Sequence, residues 1–483
     1  MGQAETGLVF DEPLLWEKGK KGRIGFSIPK SDVEHSPLDE ELVSSGLDIP
    51  ELSEVDVVRH YTRLSQWNFS VDTGMYPLGS CTMKYNPKVN ESLAGLPGFS
   101  RAHPLLPDSL AQGALKLMKD LEGLLAEITG MDAVSLQPAA GAQGELTGML
   151  LVHAYHKHKG RSRGKIIVPD TAHGTNPSSA ALCGYSPVRV DSGEKGILTK
   201  EAILDLMDED TAGIMVTNPN TLGLFEENIR VIAEIVHSKG GLVYCDGANM
   251  NALMGIVDMG RTGIDILHLN LHKTFSAPHG GGGPGAGPVC VKEHLAPFLP
   301  VPRVIEKEGR YELSEDYPDS IGKVHAFYGN FGVMIKAYCY IRTMGAKGLK
   351  RASQLAVLNA NYIKEMLREN YHLPYDRPCM HECVFSDKYL RGYKVTTLDF
   401  AKRLMDYGFH PPTIYFPLVV SGAIMIEPTE TESKDDLDLF IEACKSIARE
   451  AQEDLEVLRE APRVSKRRRL DETRAARQPC LAG

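Results

Sequence analysis

From residue 111 onward the apolar positions follow two alternating rhythms. ALKLMKDLEGLLAEITG carries leucines at helical spacing and closes on Gly130, a natural helix stop. AVSLQ, KIIVPD, VRVDS, GIMVTNPN, GLVYCD and DILHLNL are short, mostly apolar runs that predict strands. Between them GELTGMLLVHAYHKHKG, SSAALCGYS, KEAILDLMDEDT and NIRVIAEIVHSKG predict helices. Strands apolar on both faces and separated by helices indicate a buried, mainly parallel sheet with right-handed crossovers. A long helical pattern follows over residues 331–370, with Gly345 and Gly348 expected to break it. HECVFS and AIMIEP then predict strands, and TTLDFAKRLMDYG and SKDDLDLFIEACKSIAREAQ predict helices, the last capped by Ser433 with Asp436. Four regions are expected: an extended arm (1–110) with one short helical pattern at 51–66, a large α/β domain (111–330), a smaller α+β domain (331–460) and a basic solvated tail (461–483).

Composition narrows the function classes. The 483 residues are 42% hydrophobic and 24% charged, with a formal net charge of −10. That balance argues against nucleic acid as the main partner. No apolar run approaches the roughly 18 residues of a membrane span. The first residues lack the apolar core of a secretory signal, and MGQAET matches only a loose myristoylation pattern. Nine irregularly spaced cysteines fit reduced thiols, so a cytoplasmic location is expected. Cys379, His381 and Cys383 could suggest a metal, but their alternation equally suits a strand with one face inward, and no metal is expected.

Four predicted strand ends carry candidate chemistry, where open α/β sheets place their ligands. In SLQPAAGAQGE a strand runs into Ala139–Gly144 and straight on into a helix, whose free N–H groups suit a phosphate; a tight strand-to-helix turn would look the same. In PDTAHGTNPSSA, His173 is either a capping residue or a ring that stacks on a planar ligand. In VYCDGANMN, Asp246 closes a strand and could pair with a cationic ring nitrogen or cap the next turn. In HLNLHKTFSAPHGGGGPGAGPV, Lys273 stands between a strand-like run and a glycine-rich loop. A lysine that condenses with an aldehyde must be neutral part of the time, and burial favours that form. A structural lysine beside a glycine-rich turn is the alternative. Taken together, a phosphate seat, a stacking ring, an acid and an imine-forming lysine match the needs of pyridoxal 5′-phosphate (PLP).

These motifs, with YPLGSCTMKYNP near the N-terminus, resemble the glycine cleavage system P-protein, glycine dehydrogenase (decarboxylating). The resemblance spans about residues 50–460. Length and the presence of the lysine motif resemble subunit 2 of the two-subunit form. The resemblance implies a fold-type-I PLP-dependent transferase-like large domain. It also implies a PLP-dependent decarboxylation of glycine, with the aminomethyl group passing to the lipoyl arm of H-protein. By the same resemblance Lys273 holds the cofactor, Asp246 keeps its ring nitrogen protonated, His173 stacks on the ring and Ala248 packs beneath it. Ala140, Gly141, Ala142 and Gln143 surround the phosphate, with Thr274 in reach of it. Asn220 or Thr221 contacts the 3′-oxygen. Lys84 is a candidate contact for the substrate carboxylate, and loops 278–288 and 318–330 are candidate walls of a lipoyl channel. Partners implied are subunit 1, in a two-plus-two heterotetramer, and lipoylated H-protein. The rival readings are another fold-type-I enzyme acting on a different amino acid, or a non-catalytic scaffold subunit. A nucleotide-binding loop fits poorly, because no GxxxxGK[ST] occurs and the lysine precedes the glycines.

Overall fold

Period-two burial on both sides builds the centre of the molecule. The computed structural model describes residues 12–480 except 35, 45, 47, 48 and 466; the N-terminal leader and myristoylation readings lie outside the described residues. Seven strands form the main sheet: β1 (Ala133–Ser135), β2 (Lys165–Pro169), β3 (Ser186–Val190), β4 (Thr211–Thr217), β5 (Leu242–Asp246), β6 (Ile266–His268) and β7 (Val289–Val291). Their order is β1-β7-β6-β5-β4-β2-β3. All run parallel except β7, which pairs antiparallel with both neighbours. Along β4 and β5 every residue is buried. Ile214, Val216, Val243 and Cys245 join one apolar cluster, whereas Ala212, Met215, Leu242 and Tyr244 join the cluster on the other face. This two-sided burial explains the near-continuous apolar runs, and each buried aliphatic side chain contributes roughly 1.5–3 kcal/mol.

Helices cover both faces, as the alternation predicts. The helix Gly141–His158 lies so close to the sheet that a Cβ on Gly148 would sit 2.4 Å from the Tyr244 ring. Glycine is what allows that approach.

Two features escape the sequence pattern. β7 has only three residues and emerges directly from the glycine-rich loop. A charged hairpin, β8 (Arg303–Lys307) and β9 (Arg310–Ser314), turns at Glu308 and Gly309, both with positive φ. That is the backbone a two-residue hairpin turn needs.

The long helix Phe331–Leu367 breaks its regular geometry at Gly345 (φ 59°, ψ 177°). Its first part packs in the main core through Met334 and Ile341. Its last part packs in a second core through Ile363 and Leu367. That second core covers a small antiparallel sheet of β10 (Cys383–Ser386), β11 (Thr413–Ile414) and β12 (Ala423–Ile426), ordered β10-β12-β11. The helices Thr397–Asp406 and Lys434–Glu453 back it, and Ser433 accepts from the Asp436 N–H at the start of the second. Cys379 and Cys383 pack in this core. Residues 75–86 thread between the two units: Met75 packs in the second core, Leu78 bridges to Ile426, and Thr82 and Lys84 are buried. Among the described residues no helix is long and apolar enough to cross a membrane.

Candidate functional site

The carboxyl ends of β2, β4, β5 and β6 converge on one pocket of polar groups. Asp246 ends β5 and is 1% exposed. Its Oδ2 accepts from Asn176 Nδ2 at 3.1 Å and its Oδ1 from the Ala248 N–H at 3.0 Å. His268, at the end of β6, lies with Nε2 3.4 Å from Oδ1 and Nδ1 2.6 Å from the Tyr244 hydroxyl. Burial alone would raise the Asp246 carboxyl. The attraction of His268, His173 and Lys273 and the Ala248 N–H outweigh that and hold it below its ordinary value. A buried carboxylate that stays ionised can hold a proton on a ring nitrogen.

His173 follows β2 on the loop before the helix Asn176–Leu182. Its N–H donates to Thr217 Oγ1 at 2.9 Å, and Nδ1 sits 2.8 Å from Thr175 Oγ1. Thr175 in turn donates to Glu145. Burial and the nearby Lys273 press the imidazole toward its neutral form, against the pull of Asp246. Glu145, buried and facing Asp246, is pushed up to about 7.

Lys273 lies in the turn after β6, where its N–H and that of Thr274 both donate to Asn270 O. The residue is 9% exposed, and its Nζ donates to Ser80 O at 2.7 Å. The start of the helix Gly141–His158 faces the same turn. A Cβ on Gly141 would lie 2.6 Å from Asn270 Oδ1. Ala140 is extended and caps nothing with its side chain, so the first-turn N–H groups of Gly141, Ala142 and Gln143 have no intrahelical partner. Asn270 Oδ1 and Thr274 Oγ1 are buried without a hydrogen bond. Unpaired N–H groups, a positive helix end and an orphan hydroxyl are the donor set a phosphate requires. The residues present therefore fit PLP: a lysine amine, an ionised acid, a flat imidazole and a phosphate cup.

The structure does not bring all the expected residues to this cluster. Asn220 donates to Gly196 O and Glu226, and Thr221 donates to Thr171 O, so both side chains are engaged in tying neighbouring loops together. The Gln143 side chain closes the Ala139 turn and reaches Val324 O, leaving its N–H as its contribution. Lys84 is fully buried and bonded to Glu430 and Thr274 O, away from any free carboxylate contact. Conversely, Asn176, His268, Glu145 and Asn270 escaped the sequence reading. His268 left a trace as the one polar residue inside the apolar run ILHL.

A family model described as "Glycine cleavage system P-protein" matches residues 38–307, and one described as "Glycine dehydrogenase, C-terminal domain" matches 352–463. The chain is 59% identical over 474 residues to the "Probable glycine dehydrogenase (decarboxylating) subunit 2" of Caldanaerobacter subterraneus subsp. tengcongensis, covering 97% of this chain and 98% of that one. It is 54% identical to the protein so described from Bacillus licheniformis, covering 98% of each. Among solved structures it is similar to a glycine decarboxylase (P-protein) of the glycine cleavage system in inhibitor-bound form. There the TM-score is 0.72 at 21% identity, over 85% of this chain and 93% of that one. An apo cysteine desulfurase from Thermococcus onnurineus NA1 gives a TM-score of 0.61 at 17% identity, over 78% and 95%. The fold is thus that of fold-type-I PLP enzymes.

Proposed function

The chain belongs to the glycine cleavage system P-protein family, and from that premise we propose that it is subunit 2 of a two-chain glycine dehydrogenase (decarboxylating). It removes the carboxyl group of glycine and passes the aminomethyl group to the lipoyl arm of a carrier, the H-protein, working with a companion subunit 1 in the cytoplasm. PLP supplies the electron sink for this chemistry when bound.

In this reading Lys273 holds the cofactor covalently. The first turn of the helix Gly141–His158, with Asn270 and Thr274, seats its phosphate. Asp246, steadied by Asn176, Ala248 N–H and His268, keeps a proton on the ring nitrogen. His173 would stack on the ring, its imidazole pressed toward the neutral form by partial burial and by Lys273. The observation that carries the reading is the convergence of Lys273, Asp246, His173 and the uncapped helix start at one end of the sheet. The fold is shared with a desulfurase and does not by itself choose the substrate; the family does.

Lys84 is committed to Glu430, so the substrate carboxylate is bound by another group. A mostly apolar cavity of about 730 Å³ lies beside the glycine loop, lined by Phe99, Leu106, Met118, Pro278, Phe327 and Phe331 among others. Its walls include both loops expected to border a channel, and its lining suits the hydrocarbon part of a lipoyl arm. On the N-terminal arm Ile24, Phe26 and Ile28 are each more than 70% exposed at alternate positions, a stripe that suits burial against the companion chain.

The test is exchange of the glycine carboxyl carbon with bicarbonate. Exchange that requires this chain, subunit 1 and a lipoylated carrier supports the reading. Exchange with another amino acid, or none with the full set, overturns it.

A further inference from the structure

Behind Lys273, on the side of the small sheet, lie three buried titratable groups that the mechanism above does not use. His381, Glu382 and Glu427 are each at most 1% exposed. His381 Nε2 is 3.8 Å from Glu382 Oε2 and 4.0 Å from Glu427 Oε1, too far for a hydrogen bond to either. Both ring nitrogens, Glu382 Oε1 and Glu427 Oε2 are buried without a partner. The remaining oxygens grip one segment: Glu382 Oε2 accepts from the Ser80 N–H at 2.8 Å, and Glu427 Oε1 accepts from the Thr82 hydroxyl. Ser80 is held at φ 63°, a left-handed conformation unusual for serine. Its carbonyl is the group that receives the Lys273 amine.

Charges decide what this cluster does. The groups facing it are Lys273 from the large domain, Lys84 and Cys81 from the N-terminal segment, and Glu430 beyond β12. Lys84 is neutralised by Glu430 at 2.7 Å. That leaves Lys273, which also faces the ionised Asp246, as the cation opposite the two carboxyls. Two ionised carboxylates with one countercharge in a dry site are costly, whereas one shared proton leaves one net charge. Burial pushes Glu427 up to about 7 and Glu382 well above its ordinary value. It also holds His381 down at about 3, so the imidazole is neutral and does not supply the missing countercharge.

We propose that Glu382 and Glu427 act as one acid carrying a single proton, and that this pair positions Lys273 through the Ser80–Thr82 segment and balances the charge of its amine. Both are positioning residues, acting through Ser80 and through the field at the lysine. The proposal rests on the reading of Lys273 as the reactive lysine, and its test uses cofactor-free protein so that the two can fail separately.

The experiment compares wild type, Glu382→Gln, Glu427→Gln and the double variant, with circular dichroism to establish folding. One readout is the infrared C=O stretch of a protonated carboxyl at neutral pH; the other is the acylation rate of Lys273, followed by peptide mapping. Each single variant replaces the neutral acid by an amide and leaves one carboxylate, so Lys273 should react at nearly the wild-type rate. The double variant removes the pair's anion and leaves Asp246 as the remaining carboxylate facing the lysine, and the rate should rise about tenfold. The protonated-carboxyl band of this pair should be present in wild type and lost in both single variants. Equal stepwise increases in the two single variants, no change in the double, or a wild-type band that neither substitution alters would each overturn the proposal. The infrared comparison of wild type with any one folded variant suffices if the double variant does not fold. Cofactor trapping at Lys273 in wild type reports separately on the underlying reading.

Discussion

Substituting Lys84→Met should destabilise the protein by about 3 kcal/mol without touching the cofactor directly. Lys84 has no exposed side-chain surface and Glu430 has 7%, and their charged atoms are 2.7 Å apart. Desolvation opposes the ammonium form of Lys84, but the Glu430 charge and hydrogen bond outweigh it. Removing one partner of such a buried pair typically costs about 3–5 kcal/mol, because the other charge stays buried. Here Glu430 retains Tyr340 Oη at 3.2 Å and Asn251 Nδ2 at 3.2 Å, which places the loss at the lower end. Glu430→Gln should cost a similar amount, since Lys84 would keep only Thr274 O and the Tyr340 hydroxyl. The double variant leaves no unpaired charge and should cost far less than the sum, with a coupling of about 2 kcal/mol or more. Equilibrium urea unfolding of the four proteins measures the cycle. A loss below about 1 kcal/mol for Lys84→Met, or single losses that simply add, would refute the argument that this pair is a dry strut beneath Thr274.

Three other outcomes follow from the site. Glu145 has a folded-state value of about 7 against an ordinary 4.5, so wild type loses stability as pH rises between these values. Glu145→Gln lacks that titration and should gain on wild type by up to about 3 kcal/mol from near pH 5 to near pH 8; thermal midpoints read it. Gly287→Ala would place a Cβ 2.1 Å from Ala140 O, forcing the turn before the phosphate cup to shift; titration should show PLP affinity weakened at least tenfold with the fold intact by circular dichroism. Asp246→Asn keeps the shape but not the charge, so PLP should still bind while kcat falls by about two orders of magnitude or more, read by carboxyl exchange.

The main sheet was legible because burial on both faces of β4 and β5 writes itself as unbroken apolar runs. The kink at Gly345 and the cap at Ser433 were legible because glycine and serine have specific backbone roles. β7 was hidden by its three-residue length behind a glycine loop, and the β8–β9 hairpin by its charged side chains. In the site, Lys273, Asp246 and His173 stood out as polar residues at strand ends. Asn220 and Thr221 also follow a strand, but their side chains donate to carbonyls of other loops, at Gly196 and Thr171. Asn176, Asn270 and the Glu382–Glu427 pair depend on contacts between segments far apart in sequence, and no local pattern reports such contacts.

The chemistry turns on which amine meets the cofactor. Borohydride reduction of the protein with PLP, followed by proteolysis and mass mapping, should place a pyridoxyl group on Lys273 and leave Lys273→Ala unlabelled. A label on another lysine such as Lys84, or none in the folded wild-type chain, would contradict it.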